Sequence, residues 1–190
     1  MFEYSPEWYS GLEYHGQFLS SNPKPTTGDH PERDWAAYET ALTKPNDHIL
    51  ICGCGCGDNA CLLTEKGCGD NLTLVDFSAA AVGFCKRVFS KATCYMADVS
   101  SMPFLSDGSF DLVSALDVTE HLPHDVYLMF LKEIYRLCRP GGRVLILPGL
   151  TKRPEHINIV YPMAAAHDLM KVGFKRFSLA QQWVVAWREA

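Results

Sequence analysis

Residues Ile49-Leu50-Ile51-Cys52-Gly53-Cys54-Gly55-Cys56-Gly57-Asp58 decide the fold of this chain. A short apolar run is followed by three glycines at alternate positions and then by the start of a helical pattern. Glycine tolerates positive φ and has no side chain, so the backbone can turn sharply and a ligand can approach it closely. A strand that leads through such a loop into a helix presents backbone N–H groups and the positive end of the helix dipole. The segment therefore predicts a cradle for a nucleotide-type cofactor.

Length, composition and charge narrow the class of protein. The chain has 190 residues, of which 47% are hydrophobic and 21% charged, and this predicts a single globular domain. The net charge of -5 and the scattered basic residues argue against nucleic acid as the main partner. The sequence contains no apolar run of about 20 residues, so we expect no membrane span. Without a recognisable signal peptide, we expect a cytoplasmic protein whose cysteines stay reduced.

Three cysteines of the loop, Cys52, Cys54 and Cys56, raise the question of a metal site. Alternate residues on a strand and a tight loop do not readily form a tetrahedron, and no His or Cys pair follows at zinc spacing. We therefore predict no metal and interpret these residues as small buried apolar side chains.

Residues 1–45 differ from the rest in being rich in proline and aromatic residues. Proline at this density excludes a long helix, although a short helix over Pro31–Thr43 with Asp29 as its N-cap is expected. The aromatic residues either cover an exposed end of the sheet or form a lid over a substrate. We predict one domain over residues 1–190, with a cap at 1–45 and a cofactor-binding core at 46–190.

From His48 onward, strand-like apolar runs alternate with helical patterns. Strands are predicted at 48–53, 72–76, 92–97, 110–116 and 143–148, and helices near 58–67, 78–90, 124–138 and 160–171. Such alternation predicts a parallel sheet with helices on both faces. Two further runs, 174–179 and 183–187, are too close in sequence for a crossover helix between them. They are expected to form an antiparallel hairpin at the sheet edge.

Two cofactors fit the glycine loop from its residues alone. Residues 55–60 satisfy the dinucleotide pattern G-x-G-x-x-A, so a nicotinamide enzyme has to be considered. However, Gly53 is the glycine in register with the strand end, which gives G-x-G-x-G and puts Asp58 where a third dinucleotide glycine would fall. Asp76 closes the second predicted strand, and a carboxylate there accepts hydrogen bonds from ribose hydroxyls of either cofactor.

The later segments resemble those of the class I S-adenosylmethionine-dependent methyltransferases, in particular the small-molecule, methyltransferase-11-like type. The matching segments are, in chain order, Ile49–Gly57, Thr73–Ser78, Met96–Val99, Ser109–Val113, Leu116–Leu122 with its E-H-L turn, and Arg139–Leu145 with its R-P-G-G turn. Their order and spacing together are highly specific for the family. The resemblance covers about residues 45–188 and implies an α/β, Rossmann-like seven-stranded sheet of order 3-2-1-4-5-7-6, with strand 7 antiparallel and helices on both faces.

The resemblance also implies S-adenosyl-L-methionine as the cofactor. The residues that it assigns to cofactor binding are Gly53, Cys54, Gly55, Gly57, Asp58, Asp76, Phe77, Asp98, Val99 and Asp117. Asp76 is expected on the ribose and Asp98 near the adenine amino group. The family's acidic residue in the first strand is replaced here by Ile51. Asp58 either supplies the missing charge or is an acid of the first helical turn, favoured by the helix dipole.

Methyl transfer is an in-line displacement at a sulfonium, so the protein mainly positions the nucleophile and removes water. A base is needed only if the nucleophile arrives protonated. His121 and Asp117 are the candidate catalytic residues, because they follow the fourth strand, where parallel sheets place ligand chemistry. The alternative for both is support of the cofactor loop or a purely structural role. His156, after the fifth strand, is a candidate for lining the substrate pocket.

The leading hypothesis is a methyltransferase acting on O, N or another nucleophile of a small metabolite. The alternatives are a protein- or tRNA-modifying methyltransferase, and a non-catalytic binding subunit, which the loss of the acid at Ile51 suggests. The sequence has no basic stretch that marks the tRNA case. We therefore expect a small-molecule substrate as the partner; the acceptor atom and the oligomeric state stay open.

Overall fold

The computed structural model describes residues 42–190. The predicted helix over Pro31–Thr43 and most of the predicted cap lie outside the described residues. The described chain divides into two compact units, residues 42–97 and Asp98–Ala190. The organisation of the whole chain as one domain with a cap stays a prediction.

The first unit consists of three parallel strands and the helices that connect them. Its elements are β1 (Ile49–Cys52), α1 (Asp58–Glu65), a 3-10 helix (Gly69–Asn71), β2 (Leu72–Asp76), α2 (Ala79–Val88) and β3 (Thr93–Met96). β2 pairs in parallel with both β1 and β3. The Ser78 hydroxyl caps α2 by accepting from the amide of Ala81 at 3.2 Å, which satisfies one of the open N–H groups of the first turn.

The second unit contains four strands. Its elements are β4 (Phe110–Leu116), a 3-10 helix (Thr119–His121), α3 (His124–Leu137), β5 (Cys138–Leu147), α4 (Pro162–Val172), β6 (Arg176–Ala180) and β7 (Trp183–Trp187). β4 and β5 are parallel, whereas β7 runs antiparallel to both β5 and β6. The turn between β6 and β7 has Gln181 in the left-handed region (φ 54°), as tight two-residue hairpins require.

The strand order is β3-β2-β1-β4-β5-β7-β6 in one seven-stranded sheet. The predicted α/β fold, its strand order and the terminal antiparallel hairpin are confirmed. Strands β1 and β4 and residues 142–147 of β5 are almost entirely buried, as expected for strands covered on both faces. None of the helices in the described part of the chain is long and apolar enough to span a membrane.

Most boundaries differ from the prediction by one or two residues, and two of the differences have a clear cause in the backbone conformation. α1 ends at Glu65 rather than at residue 67, because Gly67 adopts φ 78° and its amide donates to the carbonyl of Thr64. β5 begins at Cys138 rather than at residue 143, so the R-P-G-G segment belongs to the strand. The register of β4 against β5 shifts between Phe110 and Leu112, and this irregularity accommodates the extra residues.

α3 buries one face of an amphipathic helix. Its buried side chains recur at helical spacing and are Tyr127, Phe130, Leu131, Ile134 and Leu137. The adjacent Met129 is 51% exposed, whereas Phe130 is completely buried. Variants at these two neighbouring positions can therefore distinguish the stability gained from core packing from the stability gained from forming the helix.

We expect Phe130→Ala to lower the free energy of unfolding by about 3–5 kcal/mol, because it leaves a cavity in the core. The matched control Met129→Ala is expected to change it by less than about 0.5 kcal/mol, since that side chain lies mostly in water. Urea unfolding followed by circular dichroism measures both. Equal losses for the two variants would contradict the assignment of the buried face.

Candidate functional site

The loop between β1 and α1 has a backbone that requires glycine. Gly53, Gly55 and Gly57 adopt φ of 66°, 51° and 85°, in the left-handed region that other residues rarely enter. Among residues 42–190, no atom lies within 4 Å of a Cβ placed at Gly55, so these residues leave the loop open at that point. A Cβ at Gly57 would instead overlap the Phe89 ring. The three glycines thus bring bare backbone to an open surface directly before a helix.

The Asp76 carboxylate fastens this loop to the end of β2. Oδ2 accepts from the amide of Gly55 and Oδ1 from the amide of Ser78, both at 2.8 Å. The amides of Gly53 and Cys54 also donate to the carbonyl of Val75, at 2.8 and 3.0 Å. The Asp76 side chain therefore holds together the glycine loop, the end of β2 and the start of α2.

The cysteines of the loop are free thiols. The side chain of Cys54 is buried, and its Sγ lies 4.0 Å from Sγ of Cys85. The hydrogen bond to Cys85 and burial raise the pKa of the Cys54 thiol, which keeps it protonated. The interpretation of Cys52 and Cys54 as small buried side chains is confirmed, while Cys56 is only half-buried. Cys54 therefore presents its backbone, not its sulfur, to the loop opening.

Asp58 is the first residue of α1, and no side chain caps that helix. Its position suits an acid favoured by the helix dipole and also suits a charge offered to a ligand. Ile51, at the position of the family's usual acid, is buried within β1. Phe77 follows Asp76 and is half-buried. Both interpretations of Asp58 remain predictions.

In the second unit, Asp98 forms a tight turn after β3. Its Oδ1 accepts from the amide of Ser100 at 2.8 Å, and its carbonyl accepts from Ser101 at 3.1 Å. Val99 between them is buried. The Asp98 side chain is held in one orientation by this turn, and its predicted role near the adenine is untested.

The segment after β4 has an unusual backbone and a buried acid. Asp117 adopts φ 53°, which a residue with a side chain sustains only where its surroundings enforce it. Its amide donates to the carbonyl of Leu147 at 2.9 Å, which ties it to the end of β5. Glu120 lies one turn later in the 3-10 helix and is completely buried. Neither of its carboxylate oxygens has a hydrogen-bond partner of ordinary geometry.

The protonation of Glu120 is strongly shifted by its surroundings. Burial, followed by the negative charge of Asp117, raises the pKa of Glu120 to about 8, although the amides of Glu120 and Gly149 partly oppose this. Loss of hydration also raises the pKa of Asp117, even though solvent reaches that residue. A Cβ at Gly149 would overlap Oε1 of Glu120, so glycine is required beside this carboxyl.

Two histidines lie against this acid. The rings of His121 and His156 meet edge to face, with centroids 4.8 Å apart. Nδ1 of His121 lies 3.2 Å from the carbonyl of Glu155, and Nδ1 of His156 lies 2.6 Å from that of Thr151. Burial, then the proximity of His156, lowers the pKa of His121 to about 4. His121 is therefore neutral and weakly basic at neutral pH.

The loop that carries His156 is attached to the 3-10 helix. The amide of Asn158 donates to the carbonyl of Glu120 at 3.1 Å, and the amide of His156 donates to Arg153 at 3.0 Å. The structure thus brings together Asp117 and His121, which the sequence predicts as catalytic, with Glu120 and His156. Glu120 was not predicted as a site residue. The one sequence feature that could have indicated it is its position next to His121 in the turn after β4.

Residues 50–146 match the model of the methyltransferase domain family. The chain belongs to this family. Membership confirms the predicted family and S-adenosylmethionine as the family's cofactor. The G-x-G-x-G loop, Asp76, Asp117 and the E-H-L turn all fall within the matched residues.

The matched segments make up only part of the curated relatives. The chloroplastic 2-phytyl-1,4-beta-naphthoquinone methyltransferase of Arabidopsis thaliana is 31% identical over 147 residues, which are 67% of this chain and 55% of that protein. The demethylmenaquinone methyltransferase of Thermus thermophilus is 30% identical over 115 residues, 58% of this chain and 51% of that protein. The chain spans about half the length of these two relatives.

Solved structures share the fold at lower identity. A SAM-dependent methyltransferase from Archaeoglobus fulgidus has a TM-score of 0.71 at 16% identity, covering 83% of this chain and 93% of that one. The 1,6-didemethyltoxoflavin-N1-methyltransferase of Burkholderia thailandensis has a TM-score of 0.65 at 21% identity, covering 98% and 91%. These similarities support the architecture of the sheet.

The raised pKa of Glu120 predicts that stability falls as the pH rises. Its folded pKa of about 8 exceeds its ordinary value of 4.5, so the stabilisation is complete below 4.5 and is lost as the pH approaches 8. His121 has the opposite effect, but only below its ordinary value of 6.5. Between pH 6.5 and 8 we expect Glu120 to reduce the free energy of unfolding by about 1–2 kcal/mol.

Urea unfolding in a chelator-containing buffer, repeated across this pH range, measures the effect. Glu120→Gln cannot ionise and is expected to flatten the profile, while other titrating groups affect both proteins equally. Parallel profiles for the wild type and Glu120→Gln would refute the shifted pKa.

Proposed function

We propose that the protein transfers a methyl group from S-adenosylmethionine to O, N or another nucleophilic atom of a small metabolite. The observation that carries the proposal is the three-glycine loop fastened to the Asp76 carboxylate, in a chain of the methyltransferase domain family. The names of the relatives specify a naphthoquinone and a demethylmenaquinone, which supports a small-molecule acceptor.

The residues of the loop fit the cofactor. Gly55 leaves open space where a side chain would stand, and the first turn of α1 has no side-chain cap to compete with a ligand. The proposed contacts in this unit are the backbone of Gly53, Cys54, Gly55 and Gly57 and the side chains of Asp58, Asp76 and Phe77. Asp98, Val99 and Asp117 are proposed contacts from their place in the family's motifs.

The bound cofactor supplies the activated methyl group on its sulfonium, and the chain orients and desolvates the reactants. Asp117 and His121 are the proposed catalytic residues on the acceptor side. The low pKa of His121, about 4, keeps its imidazole unprotonated at neutral pH, so it is available as a proton acceptor. The same low pKa makes it a weak base, which suits an acceptor that loses its proton easily.

We expect Asp76→Asn to weaken S-adenosylmethionine binding by about ten- to a hundredfold, equivalent to about 1.5–3 kcal/mol. The amide NH2 would face one of two backbone donors, Gly55 or Ser78, and the ribose would lose a charged acceptor. Isothermal titration calorimetry measures the dissociation constant. Asp70→Asn is the matched control, because that carboxylate is exposed and forms an ion pair with the exposed Lys91.

Unchanged affinity in Asp76→Asn, or preferential binding of NAD by the wild type, would overturn the cofactor assignment. Binding of S-adenosylmethionine without turnover would favour a non-catalytic subunit. The reaction itself is tested by a screen of small metabolites, including quinols, in which S-adenosylhomocysteine is detected. Turnover only with a protein or tRNA acceptor would refute the small-molecule proposal.

A further inference from the structure

One group of side chains lies beside the proposed catalytic residues and has a chemistry that methyl transfer does not require. It consists of Glu120, His121 and His156, with Asp117 next to them, and we call it the carboxylate–histidine cluster. We propose that Glu120, His121 and His156 bind a divalent transition-metal ion. The proposal does not depend on methyl transfer, because an ion can bind whether or not a methyl group is transferred. An ion on Nε2 of His121 would take the lone pair with which that residue is proposed to accept a proton, so in the ion-bound site a water on the ion would replace His121 as the proton acceptor.

The three side chains are spaced for a shared ion. Each offers one donor atom, and the three atoms lie within 4.8 Å of one another. Donors that coordinate one ion at about 2.1 Å lie about 3–4 Å apart, so small side-chain rotations complete the set. Among residues 42–190, this is the group of His, Cys, Asp and Glu side chains that meets the spacing.

The two imidazoles are oriented as metal ligands usually are. The carbonyl of Glu155 lies 3.2 Å from Nδ1 of His121, and that of Thr151 lies 2.6 Å from Nδ1 of His156. A carbonyl accepts only from a protonated nitrogen, so Nδ1 of each ring carries a proton and Nε2 is the nitrogen that can coordinate an ion. A backbone acceptor on the far nitrogen commonly fixes the tautomer and direction of a histidine ligand.

The buried acid independently points to a cation. Glu120 is completely buried, and neither carboxylate oxygen has a hydrogen-bond partner of ordinary geometry. A buried carboxylate without partners is costly, and a cation satisfies both its charge and its lone pairs. Gly149 leaves the space that this carboxyl occupies.

The donor set selects the class of ion. Two imidazoles and one carboxylate suit Zn²⁺, Fe²⁺, Mn²⁺ or Co²⁺, whereas Mg²⁺ and Ca²⁺ prefer oxygen ligands throughout. Three protein ligands leave at least one coordination position for water or for an oxygen atom of another ligand. An ion in this position lowers the pKa of a water or hydroxyl group bound to it.

Cobalt provides the direct test. The full chain is freed of metal with a chelator, the chelator is removed, and Co²⁺ is titrated by calorimetry and visible absorption. We expect one Co²⁺ per chain, with the visible bands of nitrogen and oxygen ligation and without the near-ultraviolet charge-transfer bands of thiolate ligation. The absence of thiolate bands shows that the Co²⁺ is not bound by any of the eight cysteines of the chain. Zn²⁺ is expected to displace the bound Co²⁺.

A pair of histidine variants locates the ion. His156→Gln removes a ligand from a half-exposed position that tolerates polar residues, and we expect it to weaken Co²⁺ binding by at least tenfold. His124→Gln is the matched control, because His124 is exposed and lies just beyond the cluster. Glu120→Gln, checked for folding by circular dichroism, is expected to weaken binding as strongly as His156→Gln.

Three results would overturn the proposal: no saturable binding of one Co²⁺ per chain, thiolate bands in the bound state, or equal affinity in His156→Gln and His124→Gln. If Glu120→Gln does not fold, the melting temperature of the wild type decides. Co²⁺ is expected to raise it in proportion to ln(1 + [Co²⁺]/Kd), and no rise would count against the site. Calorimetry with S-adenosylmethionine in metal-free buffer separates these outcomes from a failure of the proposed methyl transfer.

Discussion

The Asp76 carboxylate, held by the amides of Gly55 and Ser78, is the interaction on which the candidate cofactor site depends. It joins the end of β2 to the glycine loop on one side and to the start of α2 on the other. The loop's backbone has positive φ at alternate residues and would be costly to hold without such an anchor. The hydrogen bond from Gly55 holds the loop in a shape that a cofactor can approach, and the hydrogen bond from Ser78 fixes the carboxylate itself.

Glu120 shows what happens when a buried carboxylate lacks such donors. Asp76 is buried as well, but the amides of Gly55 and Ser78 donate to its two carboxylate oxygens and replace water that it loses. Glu120 is completely buried beside the negative charge of Asp117, and the amides of Glu120 and Gly149 compensate this only in part, so its pKa rises to about 8. A proton or a cation is then the remaining source of compensation. The two histidines beside Glu120, each held by a carbonyl at Nδ1, favour a metal ion over a proton as that compensation.

Much of the architecture was predictable because it follows from local patterns. Apolar runs in β1, β4 and β5 marked buried parallel strands, and the short link before Trp183 required an antiparallel hairpin. The start of β5 was missed because proline and two glycines normally end a strand. Here an irregular register against β4 absorbs them. The strand order was predicted from the family resemblance, because the secondary-structure propensities of single segments do not determine which strands pair.

The sequence by itself determined the glycine loop, the acid at the end of β2 and the family, because these lie in continuous segments with specific spacing. It also identified His121, Asp117 and His156 one at a time. Only the tertiary structure brought His121 to the carbonyl of Glu155, 34 residues away, and revealed that the Glu120 carboxyl is completely buried beside Asp117. Parallel pairing of β4 with β5 brings the two following segments together, and burial then sets their protonation. Neither the strand pairing nor the burial of Glu120 can be derived from a short stretch of sequence, because both depend on residues that are far apart in the chain.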